Sequence, residues 1–331
     1  MKRRSLLAAP FLLAATSARA AVPEIRFARQ FSMGYLQFNV MEHHRLIEKH
    51  ATALGLPEVK VSWVTFNGPD AMNTALLSDS VDVVSGGIPG LVTFWARTAG
   101  TAQEVRGISA LSSQPCLLNT RNPALKTIAD LGPNDRIGLP SVKVSIQAVI
   151  LQMATAKLFG RENYTKYDDL TVAMSPPDAT IAVLSGSSEV DCAFSVPPYQ
   201  AQQLQKAGVH TLLNSFDVAG PHSFTLAWAK AKFRQENPVL YKALMAALRE
   251  ATEMVNADKR AAAALWLDDT HSKLDLGFVA DVVSAPQVSW TMAPQATLAF
   301  AKFMHDAGSI KRVPESWREM FFPEVQDLAG S

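Results

Sequence analysis

The residues best placed to do chemistry in this sequence stand where predicted strands end and predicted helices begin. Such junctions fall near Gly34, Asp70, Pro89, Ser145, Asp178 and Pro197. The first turn of a helix has unpaired N–H groups and a partial positive charge, and both favour anions. If several junctions face one another across a cleft, they would hold a small anionic or strongly polar ligand, mostly through backbone donors and hydroxyl groups.

The side chains at these junctions also have structural roles. Asp70 and Asp178 each follow a proline, and because aspartate is a favoured N-cap we expect both to cap helices rather than contact a ligand. Ser145 can cap the helix that follows it in the same way. Gly86 and Gly87 allow the backbone to approach a ligand closely. An apolar wall is available from aromatic side chains that are individually more typical of a core, namely Phe31, Tyr35, Phe66 and Phe194.

The sequence does not contain the common catalytic motifs. G-x-S-x-G, H-E-x-x-H, P-loop and G-x-G-x-x-G patterns are all missing. One predicted helix carries Glu42, His43, His44, Glu48 and His50, but a solvated helix face explains this pattern better than a metal site. We therefore predict no catalytic residue, no metal site and no cofactor.

His222 needs separate consideration. Its neighbour Ser223 points to the opposite face of a predicted strand, so the two cannot act as a base and a nucleophile. His222 could instead line the cleft near a hinge, and we include it among the candidate ligand-binding residues.

Two segments of the sequence nearly repeat each other. Residues 69–89 and 177–198 both begin with Pro-Asp-Ala, pass through a leucine to a Val-Asp strand, and end at a proline-containing helix start. The second copy has one extra residue before its strand. Two such units predict two similar lobes with a cleft between them, where open α/β sheets hold ligands.

Alternating strand and helix patterns continue along most of the chain, and the last third is helical from Glu236. The pattern predicts an α/β fold of two lobes, each a parallel-rich sheet flanked by helices. Residues 21–119 and 214–331 would form lobe 1, and 120–213 would form lobe 2. The chain would thus cross twice between the lobes, near Asn119 and Asn214, and two crossings form a hinge.

The first twenty residues have the pattern of a secretory signal peptide. Lys2, Arg3 and Arg4 precede an apolar run, and Ala18-Arg19-Ala20 provides the cleavage signature. We predict cleavage after Ala20 and a periplasmic location; ordinary and twin-arginine export both remain open. The net charge of the whole chain is +1. Loss of the four cations of the signal would make it −3, and no basic surface for nucleic acid is indicated.

The chain has two cysteines, Cys116 and Cys192. We place them in buried strands of different lobes, where a disulfide would lock the hinge. Two separate buried thiols are therefore the favoured interpretation, although export would permit a disulfide.

The Pro-Asp-Ala helices, the Val-Asp strands, Gly-Gly-Ile-Pro at 86–89 and the helical last third together resemble the periplasmic substrate-binding proteins of ABC importers. Within these, residues 24–320 are most similar to the nitrate, sulfonate and taurine group, which includes binders of pyrimidine precursors. The resemblance implies the type II two-lobe fold and closure around a ligand. It maps the family's pocket positions onto Gln30, Phe31, Met33, Asn67, Gly68, Gly86, Gly87, Ile88, Ser112, Ser113, Ser145, Ile146, Gln147, Pro177, Asp178 and Ser195.

The resemblance also implies partners. These are a small-molecule ligand and the permease and ATPase subunits of an importer, with the membrane reached only through the permease and the binding protein itself a monomer. One enzyme of the same superfamily, a pyrimidine synthase, uses a run of cysteines together with iron. This chain lacks that run, which argues against the same chemistry here. Two other functions stay open, namely an exported enzyme, such as a hydrolase, using the same cleft, and a ligand sensor for a separate signalling chain. Arg29, Arg97 and Arg121 are candidates for an arginine that contacts the ligand.

Overall fold

The structure is a computed structural model that describes residues 23–56, 58–186 and 189–331. The predicted signal peptide and its cleavage site lie outside the described residues. The strands are β1 (Glu24–Gln30), β2 (Lys60–Phe66), β3 (Val83–Gly86), β4 (Val105–Ser113), β5 (Leu117–Thr120), β6 (Ile137–Leu139), β7 (Thr171–Ala173), β8 (Cys192–Ser195), β9 (His210–Asn214), β10 (Ser223–Lys230) and β11 (Ser289–Trp290).

The α-helices lie between and after these strands. They are α1 (Leu36–His43), α2 (Leu46–Ala53), α3 (Pro69–Leu77), α4 (Ile88–Thr98), α5 (Ile146–Phe159), α6 (Pro176–Ser185), α7 (Tyr199–Leu204), α8 (Ser215–Ala219), α9 (Ala231–Glu236), α10 (Pro238–Ala257), α11 (Lys259–Thr270), α12 (Leu276–Ser284) and α13 (Thr297–Asp306). Among the described residues, no helix has both the length and the apolar composition needed to cross a membrane.

The strands form two sheets with the same core topology. One has the order β11-β4-β10-β3-β1-β2 and the other β7-β6-β8-β5-β9. In the first, β1 is parallel to β2 and β3, and β10 is antiparallel to β3. In the second, β6 is parallel to β7 and β8, and β5 is antiparallel to β8. The predicted two-lobe α/β fold is confirmed, and the two repeated segments occupy matching places, one in each sheet.

The repeated Val-Asp pair has a structural reason. The carboxylate of Asp82 accepts the backbone N–H of Arg26 at 2.8 Å, and the carboxylate of Asp191 accepts that of Arg136 at 3.1 Å. In each lobe, therefore, the aspartate that directly precedes one strand accepts a hydrogen bond from a backbone N–H at the equivalent level of the neighbouring parallel strand. Arg26 also gives Asp82 two guanidinium hydrogen bonds, which makes the contact in the first lobe the stronger one.

The helical last third packs on the first sheet's side of the molecule. Helix α10 contacts α1 and α2, and α13 contacts α4. Leu240, Leu244, Leu248 and Ala251 repeat at intervals of three or four residues along α10 and are buried, as expected for a helix that covers a core. The one predicted helix that carries Glu42, His43, His44, Glu48 and His50 is two helices instead, because Arg45 has a left-handed backbone with φ of 51°.

The crossings between the sheets differ from the sequence prediction. Residues 117–119 were assigned to the first lobe, but Leu117–Thr120 pairs with β8 and β9 in the second sheet. Cys116 is therefore not in a strand of the first lobe; it lies between the sheets. Its N–H donates to the Ser215 hydroxyl at 2.9 Å, and the N–H of Ser215 donates to its carbonyl at 3.0 Å. These bonds hold the two crossings together.

Both cysteines are free and buried, as predicted. Their separation has a different cause from the predicted placement in strands of two different lobes. Cys192 is opposite Thr120 on the neighbouring strand. Cys116 lies four residues further along, about 13 Å at the usual rise of a strand, which is beyond the reach of a disulfide. Burial raises the pKa of the Cys192 thiol to about 12 and also raises that of Cys116, so both stay protonated at neutral pH.

Candidate functional site

A small cavity of about 40 Å³, here called the inner chamber, lies where the two lobes meet. The first lobe contributes Gln30, Phe31, Ser32, Tyr35, Pro69, Gly86, Gly87, Gly90, Phe224 and Trp228. The second lobe contributes Pro140, Val144, Ser145, Ile146, Gln147, Pro176 and Val196. By size and position, the chamber suits a compact chemical group enclosed by both lobes.

Four helices begin at the walls of the inner chamber, namely α3, α4, α5 and α6. Each has nine or more residues, so each presents a partial positive charge there. Because Pro69 and Pro176 have no N–H, free donors come chiefly from α5, at Ile146 and Gln147. Ser145 caps α5 as predicted, and its hydroxyl accepts the N–H of Ala148 at 3.3 Å.

None of the described residues that line the inner chamber is charged. Its one titratable side chain is Tyr35, and burial raises the pKa of that phenol, which therefore stays neutral. Trp228 also lines the chamber, and its indole N–H has no hydrogen-bond partner although it is buried. A neutral wall with unpaired donors, surrounded by helix N-termini, is suited to an anion that carries its own charge into the site.

The two lobes are in direct contact around the chamber. A Cβ atom placed on Gly87 would lie 2.6 Å from the Cβ of Ile146, and one on Gly68 would lie 2.9 Å from the carbonyl oxygen of Pro140. Such spacing admits only glycine at these two positions. Gly87 and Gly68 belong to the first lobe, and their neighbours to the second, so the structure is a closed one.

Hydrogen bonds also cross the cleft. The Ser141 hydroxyl donates to the carboxylate of Asp70 at 2.7 Å. On the other side of the chamber, the N–H of Met33 and the hydroxyl of Ser32 both donate to the carbonyl of Pro197, at 2.9 and 3.1 Å. These three bonds exist only while the lobes touch, so they favour the closed form.

The prediction that Asp70 and Asp178 cap helices is wrong. Gly68 is the N-cap of α3, and Asp70 lies inside the helix with its carboxylate on Ser141 of the other lobe. Ser175 is the N-cap of α6, and its hydroxyl accepts the N–H of Asp178 at 3.3 Å. In both cases the helix begins at least one residue earlier than predicted, because proline is well suited to the first helical positions.

A larger cavity of about 590 Å³, here called the outer chamber, adjoins the inner one. Gln30, Phe31 and Ser32 line both. The rest of its lining is Arg29, Asn39, Thr65, Pro177, Tyr199, Gln202, Trp266, Asp269, Thr270, Ser272, Lys273 and Leu274. A third, more open depression between the lobes includes Asn67, Gly68, Asp70, Ser141, Ser175 and Asp178.

The structure divides the candidate ligand-binding residues into three groups. Those in the inner chamber are Gln30, Phe31, Gly86, Gly87, Ser145, Ile146 and Gln147. Those in the outer chamber or the third depression are Pro177, Asn67, Gly68 and Asp178. Those that are buried and are not among the lining residues are Met33, Ile88, Ser112, Ser113, Ser195 and His222.

Sequence reasoning missed two aromatic residues of the inner chamber, Phe224 and Trp228. Both lie on β10, and the pairing of β10 with β4 changes register around Phe224, so simple alternation does not relate the two side chains. The strand itself was predicted, but the sequence gave no sign that it borders the cleft. Of the four aromatic residues predicted as a wall, Phe31 and Tyr35 line the chamber, and Phe66 and Phe194 do not. Of the three arginines, Arg29 alone lines either chamber.

Two histidines of α1 and α2 contact the C-terminal helices, whereas the acids Glu42 and Glu48 pair with Arg29 and Arg45. His50 lies 2.7 Å from a carboxylate oxygen of Glu250, and His43 lies 3.0 Å from one of Asp269. The ligand atoms of His43, Asp268 and Asp269 lie within 4.8 Å of one another, which is compatible with a metal ion. Two of the three side chains are exposed, and clusters of this kind are common at surfaces without a metal.

His222 is part of the hinge. Its Nδ1 lies 3.0 Å from the carbonyl oxygen of Ser223, so Nδ1 carries the proton, and Nε2 lies 2.9 Å from the Ser215 hydroxyl that also bonds to Cys116. The ring packs against Phe216 and Phe300. Burial lowers the pKa of His222 to about 4, so the imidazole is neutral at pH 7.

This burial makes the stability of the protein dependent on pH. Between about pH 6.5 and 4, the unfolded chain binds a proton at His222 and the folded chain does not, so stability falls as the pH is lowered. We expect this group to remove about 2 kcal/mol between pH 7 and pH 5. Chemical unfolding of the wild type and of His222→Gln at both pH values measures the difference. Equal losses in the two proteins would contradict the assignment.

Comparisons with known proteins agree with this architecture. Neither a protein-family model nor a curated protein sequence matches the chain. Among solved structures, the alkanesulfonate-binding protein SsuA from Xanthomonas axonopodis pv. citri, bound to MOPS, matches with a TM-score of 0.68 and 18% identity, over 88% of this chain and 96% of that one. The chain has the periplasmic-binding-protein fold. The aliphatic sulphonate binding protein SsuA from Escherichia coli matches with a TM-score of 0.65 and 20% identity, over 90% and 92%.

A third match extends the range of ligands among proteins with this fold. The periplasmic nitrate-binding protein NrtA from Synechocystis PCC 6803 has a TM-score of 0.65 and 13% identity, over 91% of this chain and 84% of that one. At these identities the structural similarity establishes the fold only, and function must be argued from the site. The fold is the one that the sequence resemblance implied.

Proposed function

We propose that this protein is the solute-binding component of an ABC importer. It would capture a small organic or inorganic oxyanion by closing its two lobes and deliver it to a permease. The observation that carries the proposal is the inner chamber, where four helix N-termini and an unpaired indole N–H surround a space whose described lining residues are all uncharged. The names of the structural neighbours, which include sulfonate-binding and nitrate-binding proteins, support the same ligand class.

The chemistry of the chamber favours binding over catalysis. General acid–base and nucleophilic mechanisms need a titratable group or an activated nucleophile beside the substrate. Among the described residues of the inner chamber, Tyr35 has a raised pKa, and Ser145 has no histidine, lysine or carboxylate lining the chamber with it to act as a base. We therefore propose a binding protein and not an exported hydrolase.

The lobes and the hinge provide the mechanism. We propose that residues 23–116 and 215–331 form one lobe and residues 117–214 the other, joined by the crossings at Cys116 and Ser215. A ligand bound between them stabilises the closed form by its greater affinity for that form. We also propose a monomer that acts in the periplasm after removal of a signal peptide, with the closed form recognised by the permease.

Ligand screening combined with solution scattering tests this function. The protein without residues 1–20 is unfolded, dialysed and refolded to remove bound solutes, then heated with nitrate, sulfonates, aromatic carboxylates or pyrimidines. At 100 times its Kd, a true ligand adds about 2.7 kcal/mol of stability and raises the melting temperature. The same ligand should reduce the radius of gyration, and a neutral sugar serves as the control. Chemical conversion of the bound ligand, or binding without compaction, would contradict the proposal.

A further inference from the structure

The inner and outer chambers are very unequal in size. The inner one measures about 40 Å³ and the outer one about 590 Å³. One enclosed water molecule needs about 10–15 Å³, so the inner chamber has room for about three or four water-sized groups. That is about the size of a sulfonate, nitrate or carboxylate group. The outer chamber has the volume of an ordinary small-molecule pocket.

The two chambers are neighbours that share one short segment of lining. Gln30, Phe31 and Ser32 line both, so they mark the boundary between the two spaces. A head group in the inner chamber and a body in the outer one would therefore lie next to each other, as a two-part ligand requires.

Both lobes contribute to the outer chamber. Asn39 and Trp266 come from helices of the first lobe, and Pro177, Tyr199 and Gln202 come from the second. A ligand body held there would contact both lobes and would add to the preference for the closed form. The outer chamber is thus placed to contribute to affinity and selectivity, and not only to give access to the inner chamber.

The lining of the outer chamber combines aromatic and neutral polar side chains. Phe31, Tyr199 and Trp266 provide aromatic surface, and polar residues such as Asn39 and Gln202 lie among them. Burial raises the pKa of the Tyr199 phenol to about 12, so its hydroxyl remains a neutral hydrogen-bonding group. Aromatic side chains pack well on rings, and the polar groups between them favour a ring that carries hydrogen-bonding atoms.

Two of the three charged residues of the outer chamber are engaged within the protein. A guanidinium nitrogen of Arg29 lies 2.6 Å from a carboxylate oxygen of Glu42, and the guanidinium lies over the Trp63 ring. Asp269 contacts His43. Lys273 is exposed. Each of the two engaged side chains also has one buried polar atom without a hydrogen-bond partner, the Nη1 donor of Arg29 and the Oδ2 acceptor of Asp269. Because one is a donor and the other an acceptor, we expect a neutral body with both kinds of hydrogen-bonding group.

From these observations we propose that the natural ligand has two parts. A compact oxyanion head occupies the inner chamber, and a neutral polar body that contains a ring occupies the outer chamber. This inference rests on the proposed function and names the class of solute within it. Free inorganic anions and simple alkyl anions are then not the preferred ligands.

Calorimetry with matched probes tests the inference. The sulfonate set is methanesulfonate, hexanesulfonate and 4-hydroxybenzenesulfonate, and the carboxylate set is acetate, hexanoate and 4-hydroxybenzoate. In whichever set binds, we expect the ring-bearing probe to bind at least 30-fold more tightly than the one-carbon probe and more tightly than the alkyl probe. Equal affinities within a set, or a preference for the alkyl probe, would overturn the inference and leave the proposed function intact. No binding in either set, with nitrate also inactive, would overturn both.

Variants that fill the outer chamber test whether the preference for the ring-bearing probe arises there. Thr270→Trp places a large side chain in the chamber from the exposed end of α11, and Gln202→Trp does so from the other lobe. Each should reduce the advantage of the ring-bearing probe over the one-carbon probe from at least 30-fold to about threefold. Gly132→Ala, on the surface of the second lobe, is the control and should keep the full advantage. An unchanged advantage in both tryptophan variants, with normal melting temperatures, would contradict the assignment to the outer chamber.

Discussion

Replacing Ser145 with aspartate is expected to weaken anion binding by roughly 1000-fold without unfolding the protein. Ser145 is buried, lines the inner chamber and caps α5. A carboxylate at this position would lie beside the ligand's charge. Two like charges 4 Å apart repel by about 4 kcal/mol at the effective dielectric constant of a protein site, which is about three orders of magnitude in Kd.

The matched variant Ser145→Asn separates charge from shape. Asparagine, aspartate and serine are similarly good N-caps, so both variants should keep α5 intact. Asparagine has nearly the shape of aspartate and carries no charge, so it should cost much less affinity. Calorimetry with the tightest anion from the screen measures both variants, and thermal melting without ligand checks the fold. Similar Kd values for the two variants would show that the chamber does not select for negative charge.

A methyl group on Gly87 is expected to prevent full closure. In the closed structure, the new Cβ atom would lie 2.6 Å from the Cβ of Ile146 in the opposite lobe. No side-chain rotation can relieve this contact, because the backbone fixes the positions of both Cβ atoms. Overpacking of this kind costs about 1–3 kcal/mol, so the closed population and the ligand affinity should fall by about 5- to 150-fold.

The stability of the unliganded protein distinguishes this effect from misfolding. Gly87 has an ordinary extended backbone, with φ of −72°, so alanine fits its conformation. In an open form the substitution should be neutral or should stabilise by about 0.4–1 kcal/mol, because alanine restricts the unfolded chain. Gly87→Ala should therefore melt normally and, at a ligand concentration just sufficient to close the wild type, show much less compaction in solution scattering. Gly132→Ala, whose new Cβ meets only an ordinary contact at 3.7 Å, should close normally. Normal compaction of Gly87→Ala would show that the lobes do not close as in this structure.

The repeated segments were the strongest sequence evidence for the fold. Their Pro-Asp-Ala helices begin at prolines and their Val-Asp strands are short apolar runs, and a sequence records both patterns directly because they act over a few neighbouring residues. The carboxylates of Asp82 and Asp191 bond to equivalent backbone positions in the two lobes, so the repetition in sequence reflects a repeated structural need. The predictions of two sheets and of the Ser145 cap were confirmed for the same reason.

Three features of the site depended on contacts between distant parts of the chain. Asp70 looked like a cap, but in the tertiary structure it reaches Ser141, 71 residues away. Nothing in the sequence singled out Trp228, and it lines the inner chamber because β10 lies next to β3. The hinge network of Cys116, Ser215 and His222 joins two crossings that nothing in the local sequence connects.

The sequence by itself determined that this protein has two similar α/β halves with helix starts suited to an anion. It did so because helix caps, strand alternation and turn residues act over a few neighbouring positions. Only the tertiary structure decided which helix starts meet, how small the enclosed space is, and that a larger chamber adjoins it. Those properties depend on how two lobes pack against each other, and packing between distant residues leaves no periodic pattern along the chain.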